Sequence, residues 1–366
     1  LAAALALWGL WREGCWPDVA AGLRGVGRDP AFWLASALSG YAVAGVFWGA
    51  FAGNAATTAL EIAVALAVPA ALALCYRVLL PYRFGFGIAC GLIAAAAFAL
   101  FEFRYGLKLR GMLGIRSYPF VFNRGIVYLV MLIWPMFLLV ERKDRWLAVI
   151  AALMVALAAA VSESGAAVLG LACGTLALAL AGLASRLALK LVGAGALAYL
   201  AVAPWLGEWL GRLTTMTSIA RLEGAHAGER IGIWTAIGAY LRQNPLFGTG
   251  LGSSANALEH PAAQAVPEAI RPMLANNHPH NAFLQIWVEL GLTGAVLAGA
   301  LLATILMRVE VLNRRQRIHA AAFSACALAI SAVSHGAWQA WWLTTFGVIA
   351  AIFWATRERD DVHVRG

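Results

Sequence analysis

Apolar residues in this chain come in long blocks rather than at amphipathic spacing. Residues 31–53, 58–80 and 165–183 are nearly free of charge. Each is about 20 residues long, the length a helix rising ~1.5 Å per residue needs to cross a hydrocarbon core of ~30 Å. A helix on the surface of a soluble protein would carry a polar stripe at every third or fourth position, and these blocks show none. The pattern predicts about eleven spans: the end of one near 1–11, then 31–53, 58–80, 85–101, 124–140, 146–161, 165–183, 187–206, 290–307, 318–334 and 338–355. The fold class expected is an all-α polytopic membrane protein with about 11–12 transmembrane helices and one large outer loop that contains helices. Its parts are residues 1–206, transmembrane helices with a basic outer segment at 102–124; residues 207–290, the loop; and residues 291–366, the C-terminal transmembrane helices.

Composition agrees. Of 366 residues 62% are hydrophobic and 12% charged, about half the charge of an ordinary soluble domain. The chain opens on Leu1 inside an apolar run, Leu1–Trp11. That run reads as the tail of a span that starts upstream, because Trp-Arg-Glu-Gly-Cys-Trp follows it instead of the small-residue cleavage site of a signal peptide.

Orientation follows from Lys and Arg. With the C-terminus inside, the inner segments hold 17 of the 27 basic residues, and the short outer turns at 54–57, 162–165 and 335–337 hold none. The ten outer cations fall in two segments: Arg104, Lys108, Arg110, Arg116 and Arg124, then Arg212, Arg221, Arg230, Arg242 and Arg271. Cations placed against the orientation signal either anchor to anionic lipid head groups or serve an anionic ligand, for which phosphate, held bidentately by Arg, is the obvious candidate. The net charge of +9 suits membrane-lipid partners; no nucleic-acid partner is expected.

The five cysteines, Cys15, Cys75, Cys90, Cys173 and Cys326, lie outside the long loop and show no Cys-x-x-Cys spacing, so neither a disulfide framework nor a metal centre is expected. His278-Pro-His280 lacks a third ligand at helical spacing, and no cofactor is expected.

Within the loop, Ile231, Trp234, Ile237 and Leu241 form a helical stripe, closed by Asn244-Pro245. The run Gly248-Thr-Gly-Leu-Gly252-Ser-Ser254 reads in two ways: a sharp turn packed against a helix, or an amide nest for an anion. Four of the seven histidines, His226, His260, His278 and His280, lie in this loop. A histidine at a helix start above a membrane serves as a structural cap or as a base for a substrate hydroxyl.

Three stretches carry a family resemblance: Arg230-Ile-Gly-Ile-Trp234; Asn244-Pro-Leu-Phe-Gly248-Thr-Gly250-Leu-Gly252; and His280-Asn281-Ala-Phe-Leu284-Gln-Ile-Trp-Val-Glu-Leu-Gly291. In this order, on a many-span layout with one large late loop, they resemble the signature region of the O-antigen ligase/Wzy-C superfamily. The resemblance implies a GT-C-like, metal-independent, inverting glycosyltransferase in the inner membrane of a bacterium, its loop and active site facing the periplasm. It implies transfer of a glycan from undecaprenyl pyrophosphate to the lipid A–core oligosaccharide in lipopolysaccharide synthesis. Arg230 matches the family's essential loop arginine and His280 its essential histidine. Arg124, in Phe-Asn-Arg-Gly125, resembles the Asn-Arg-Gly of a helix start in these ligases. Relatives carry a Ser-Arg-Gly at one helix junction. Here Val161-Ser-Glu-Ser164-Gly165 has Ser164 in the Arg place, which leaves Arg124 or Arg116 to clamp the pyrophosphate. Arg221, His278 and Asn281 complete the expected substrate contacts.

Within the superfamily, an O-antigen polymerase and a protein O-oligosaccharyltransferase share the motifs. A lipid or solute transporter, from another class, would place working charges inside the spans. The span interiors are nearly bare, with Glu61 near one end and Glu163 in an outer turn.

Overall fold

The computed structural model describes residues 28–79, 84–115, 118–213 and 227–365. Every regular element among them is helical. In chain order the α-helices are α1 (Pro30–Ala44), α2 (Ala52–Leu79), α3 (Phe84–Arg104), α4 (Lys108–Met112), α5 (Asn123–Leu139), α6 (Arg145–Val161), α7 (Gly165–Leu213), α8 (Ala227–Leu241), α9 (Ala282–Glu310), α10 (Arg314–Val333) and α11 (Ala340–Arg365). Short 3₁₀ turns at Ser253–Glu259, Pro261–Ala265 and Arg271–Ala275 fill the stretch between α8 and α9.

Among the described residues, six helical stretches are long and apolar enough to cross a membrane: Pro30–Phe47, Phe84–Arg104, Pro119–Leu139, Gly165–Leu213, Ala282–Glu310 and Arg314–Val333. Ala52–Ala67, Arg145–Val161 and Ala340–Phe353 are shorter apolar helices. The protein is an all-α polytopic membrane protein. The expected span at 1–11 lies outside the described residues.

Where the helices depart from the expected spans, backbone geometry gives the reason. α7 has 49 residues, about 73 Å at ~1.5 Å per residue and more than twice the hydrocarbon core. Ala184 breaks it with non-helical angles (φ −143°, ψ 80°), between the two spans expected at 165–183 and 187–206. The span expected at 31–53 stops at Phe47 instead, and α2 begins at Ala52. There Gly45 and Gly49 lie against the backbone of Gly250 and Leu251, so close that a side chain at Gly49 would stand 3.2 Å from the Gly250 Cα. The span expected to start at 290 starts at Ala282, and Gly291 (φ 63°, ψ −162°) interrupts it.

The chain divides into two compact units. The first draws on Leu1–Leu74, Gly193–Arg308 and Ser331–Gly347, the second on Cys75–Val192, Val309–Ile330 and Val348–Gly366. In the second unit α3, α5 and α6 pack around Val127, Val130, Met131, Ala148, Ala151 and Val155, all fully buried. Arg315 donates to the Phe137 carbonyl at 2.8 Å and Arg317 to the Ser185 hydroxyl at 3.2 Å. In the first unit α1 is capped by Asp29, whose carboxylate accepts from the Ala31 amide at 2.8 Å ahead of Pro30.

Candidate functional site

The first unit brings two of the motif residues together. Arg230 and Trp234 are four residues apart on α8 and share a face. Trp234 is buried, and its indole Nε1 donates to the carbonyl of Pro279 at 2.8 Å. Pro279 stands between His278 and His280, so this bond fixes the histidine turn against the face of α8 that carries Arg230.

The turn is tightly defined. The His280 amide donates to Nδ1 of His278 at 3.1 Å, and the two rings stand 4.2 Å apart between centroids. His280 Nδ1 lies 3.0 Å from the Ser334 carbonyl. A carbonyl only accepts, so Nδ1 carries the proton, and neutral His280 keeps its lone pair on Nε2. His280 also has φ +51°, a left-handed conformation costing about 1–2 kcal/mol in a residue with a Cβ. Burial pushes the His280 imidazole below the ordinary histidine value; the Ser334 bond opposes this, the Arg230 charge adds to it, and Glu229 opposes it. A half-buried imidazole with its Nδ1 proton committed and its Nε2 lone pair open, within range of the Arg230 charge, is able to accept a proton.

Arg230 is half-buried, and burial lowers its value while Glu229 raises it. A guanidinium stays charged through such a shift. Among the described residues, no protein group accepts a hydrogen bond from it. Its donors are of the type that can hold an anion bidentately.

Asn281 has a structural task. It is fully buried, its Oδ1 accepts from the Leu284 amide at 3.1 Å as the N-cap of α9, and its Nδ2 donates to Tyr199 at 2.9 Å. Tyr199 in turn donates to the Ala332 carbonyl at 2.9 Å. His260 caps the turn at Pro261–Ala265 through its Nδ1.

The glycine-rich run takes the first of its two readings, a turn packed on a helix. The break at Gly291 frees the carbonyls of Val288 and Glu289, which accept from the amides of Thr249 (2.9 Å) and Gly250 (3.0 Å). It also frees the amides of Leu292 and Thr293, which donate back to Pro245 (2.8 Å) and Leu246 (3.2 Å). Gly252 donates to the Glu289 carboxylate at 2.6 Å. With these amides engaged, the run cradles α9 rather than an anion. Glu289, with no exposed surface, also accepts from the Ser254 hydroxyl, from Gln285 at 2.8 Å and from Trp338 Nε1 at 2.8 Å.

The turn Ser334–Gln339 was not expected to matter, because it holds no cation. Ser334 orients His280, and the Ala337 amide donates to Gln285 Oε1 at 2.8 Å. Gln339 places its side-chain amide 3.3 Å from His278 Nε2. His335-Gly336 in so short a turn, followed by Trp338, was the available signal.

Arg124 lies in the second unit, exposed in the first turn of α5. Arg110 of that unit stacks over the Phe122 ring at 5.6 Å. Arg116, Arg221 and His226 lie outside the described residues. Ser164, in the place of an arginine, is buried, and its hydroxyl accepts from the Ala167 amide at 3.3 Å at the start of α7.

Residues 150–299 match the family model described as O-antigen ligase (Wzy_C). The match takes in Arg230, His278 and His280 and leaves out Arg124. A protein of Rickettsia conorii, whose name assigns it provisionally as a polysaccharide ligase, is 28% identical over 141 residues. That likeness covers 37% of this chain and 33% of the relative, so the chain spans about a third of the relative's length. No solved structure matches the chain.

Proposed function

We propose, from the match of residues 150–299 to the O-antigen ligase family model, that this chain is a glycosyltransferase. On this reading it moves a glycan from undecaprenyl pyrophosphate to the lipid A–core oligosaccharide in the bacterial inner membrane, with its site facing the periplasm. The observation that carries the reading is His280, its Nδ1 proton committed to Ser334 and its Nε2 free, near enough to Arg230 to feel its charge. The match to O-antigen ligases and the relative's name support a glycan as the group transferred. The excess of inner Lys and Arg supports the orientation.

The chemistry needs a base and a cation. A hydroxyl of the acceptor sugar attacks the anomeric carbon of the donor. The new C–O bond forms as the bond from that carbon to the phosphate oxygen breaks, and the pyrophosphate leaves with the electron pair. The hydroxyl proton passes to His280 Nε2. Arg230 meets the growing charge on the departing phosphate through a two-pronged hydrogen bond. Attack opposite the leaving group inverts the anomeric centre. Pyrophosphate is a good leaving group, so no general acid is required, and on this reading the step is metal-independent.

The test is a strain lacking the chain. A ligase deletion accumulates capped, lipid-linked polymer and loses polymer-bearing lipopolysaccharide. Lipopolysaccharide bearing a single repeat would instead identify a polymerase. Unchanged lipopolysaccharide, with an unmodified glycoprotein, would identify a protein O-oligosaccharyltransferase.

A further inference from the structure

A cleft of about 270 Å³ opens in the first unit, with His278 in its wall. One side is the start of α2, where Asn54, Thr57, Thr58 and Glu61 line it. Their spacing of i, i+3, i+4 and i+7 puts all four on one face of the Ala52–Ala67 stretch, whose other residues are apolar. Polar groups within such a helix are costly unless something uses them. Asn54 is tied to Asn256 at 2.7 Å and Thr57 to the Gly53 carbonyl at 3.0 Å. Thr58 and Glu61 make no hydrogen bond among the described residues. Across the cleft stand Gln285, Trp338 and Gln339.

The lining selects among the parts of a lipid-linked glycan. It has two carboxylates, Glu61 and Glu289, and no Lys or Arg. A pyrophosphate there would face the Glu61 carboxylate with no Lys or Arg in the lining to offset it. A polyprenyl chain would leave the Thr58 hydroxyl and the Glu61 carboxylate desolvated and unpaired. A sugar ring suits it: hydroxyls pair with amides, hydroxyls and a carboxylate, and the C–H face of the ring packs on an indole such as that of Trp338. The volume lies just below the ~300–1,000 Å³ of ordinary ligand pockets, room for a terminal sugar and not for a whole glycan.

We infer that this cleft is a subsite for a neutral, hydroxyl-rich sugar residue, held by the α2 stripe and Trp338 at the edge of the His278–His280 pair. The inference rests on the glycan-transfer reading. The sugar belongs either to the donor glycan or to the acceptor core. The phosphate then lies away from the cleft, with Arg230.

The test is steady-state transfer by the full chain in nanodiscs, with lipid-linked glycan and lipid A–core each varied in turn. Glu61→Gln and Thr58→Val keep side-chain volume while changing one polar group each. The expected result is a rise of about five- to tenfold in KM for one glycosylated substrate, with a smaller change in kcat. The substrate affected says whose sugar occupies the cleft. Binding of sugar-free undecaprenyl pyrophosphate stays at the wild-type level in both variants. Unchanged KM for both substrates overturns the subsite, and so does weakened binding of the sugar-free carrier. If the unaltered chain transfers nothing between these substrates, the functional reading fails and the subsite is judged by binding alone. A preference for glycosylated over sugar-free carrier that both substitutions abolish keeps it; the absence of any preference overturns it.

Discussion

Trp234 and Pro279, 45 residues apart, are joined by one buried hydrogen bond of 2.8 Å from the indole to the carbonyl. Because Arg230 lies one turn before Trp234 and His280 one residue after Pro279, this bond sets how the guanidinium and the imidazole are placed. Trp234→Phe keeps most of the packing and strands the carbonyl, which costs about 1–3 kcal/mol when such a group is buried. Thermal unfolding in detergent is expected to shift down accordingly. Transfer is expected to fall in kcat more than in KM, because the ligand groups remain and only their alignment suffers. A variant with lowered stability and undiminished kcat would show that the bond only holds the fold.

His280 is expected to govern the acid side of the pH profile. Its folded value lies below the ordinary 6.5 because burial disfavours the charged form. The neutral base is therefore present at neutral pH, and transfer falls only as pH drops through a value below 6.5. Stability follows the same sign. Between 6.5 and the folded value the unfolded chain binds the proton that the folded chain refuses, so this contribution is present above 6.5 and lost on acidification. Removing the ring separates the two effects. His280→Gly is expected to cost about 10²–10⁴-fold in kcat, while the relief of φ +51° offsets the lost bond to the Ser334 carbonyl and leaves thermal stability near level. A glycine variant that retains transfer would remove His280 from the chemistry.

Arg230 is open to two independent readings. Arg230→Lys keeps the charge and loses the fork, so transfer is expected to fall roughly tenfold to a hundredfold. The acid limb of the pH profile stays near its wild-type position, because a cation still faces His280. Arg230→Gln removes that cation, and the limb is expected to move up toward 6.5, since the arginine charge lowers the His280 value. Identical limbs in wild type and Arg230→Gln would mean the two groups are too far apart to share one substrate.

Much of the fold was legible because membrane helices announce themselves in unbroken apolar runs. The spans expected at 85–101, 124–140 and 146–161 fall within three residues of α3, α5 and α6. The breaks were not legible. Gly291 sits in the middle of apolar sequence, and its role depends on a turn at 245–252 that folds back on it. The motif residues Arg230 and His280 could be named from their stretches of sequence. What holds them could not, because the partner of His280 is a backbone carbonyl 54 residues away and any residue type has a carbonyl. The α2 stripe was legible in principle at Asn54, Thr57, Thr58 and Glu61. Its first two residues fall in the stretch that the apolar pattern marks as an outer turn rather than a helix, which hides the stripe.

The joint between the glycine-rich turn and α9 gives the last prediction. Gly291 has φ 63° and ψ −162°, a region open in practice only to glycine, and a Cβ there would fall inside contact distance of the Leu246 backbone. Gly248, at φ 71°, faces the Glu289 and Leu290 backbone in the same way. Neither neighbour is a flexible side chain, so neither can yield without breaking the four backbone hydrogen bonds that close the joint. Gly291→Ala and Gly248→Ala are each expected to cost at least about 1–3 kcal/mol. Both are expected to lower transfer as well, because Glu289 and the start of α9 carry the turn that holds His280. Gly195→Ala in α7 is the control: its Cβ meets nothing within 4 Å, and alanine is the better helix former by about 1 kcal/mol. Detergent-solubilised melting curves that rank all three alike would mean the joint bears no strain and the two halves of α9 move independently of the site.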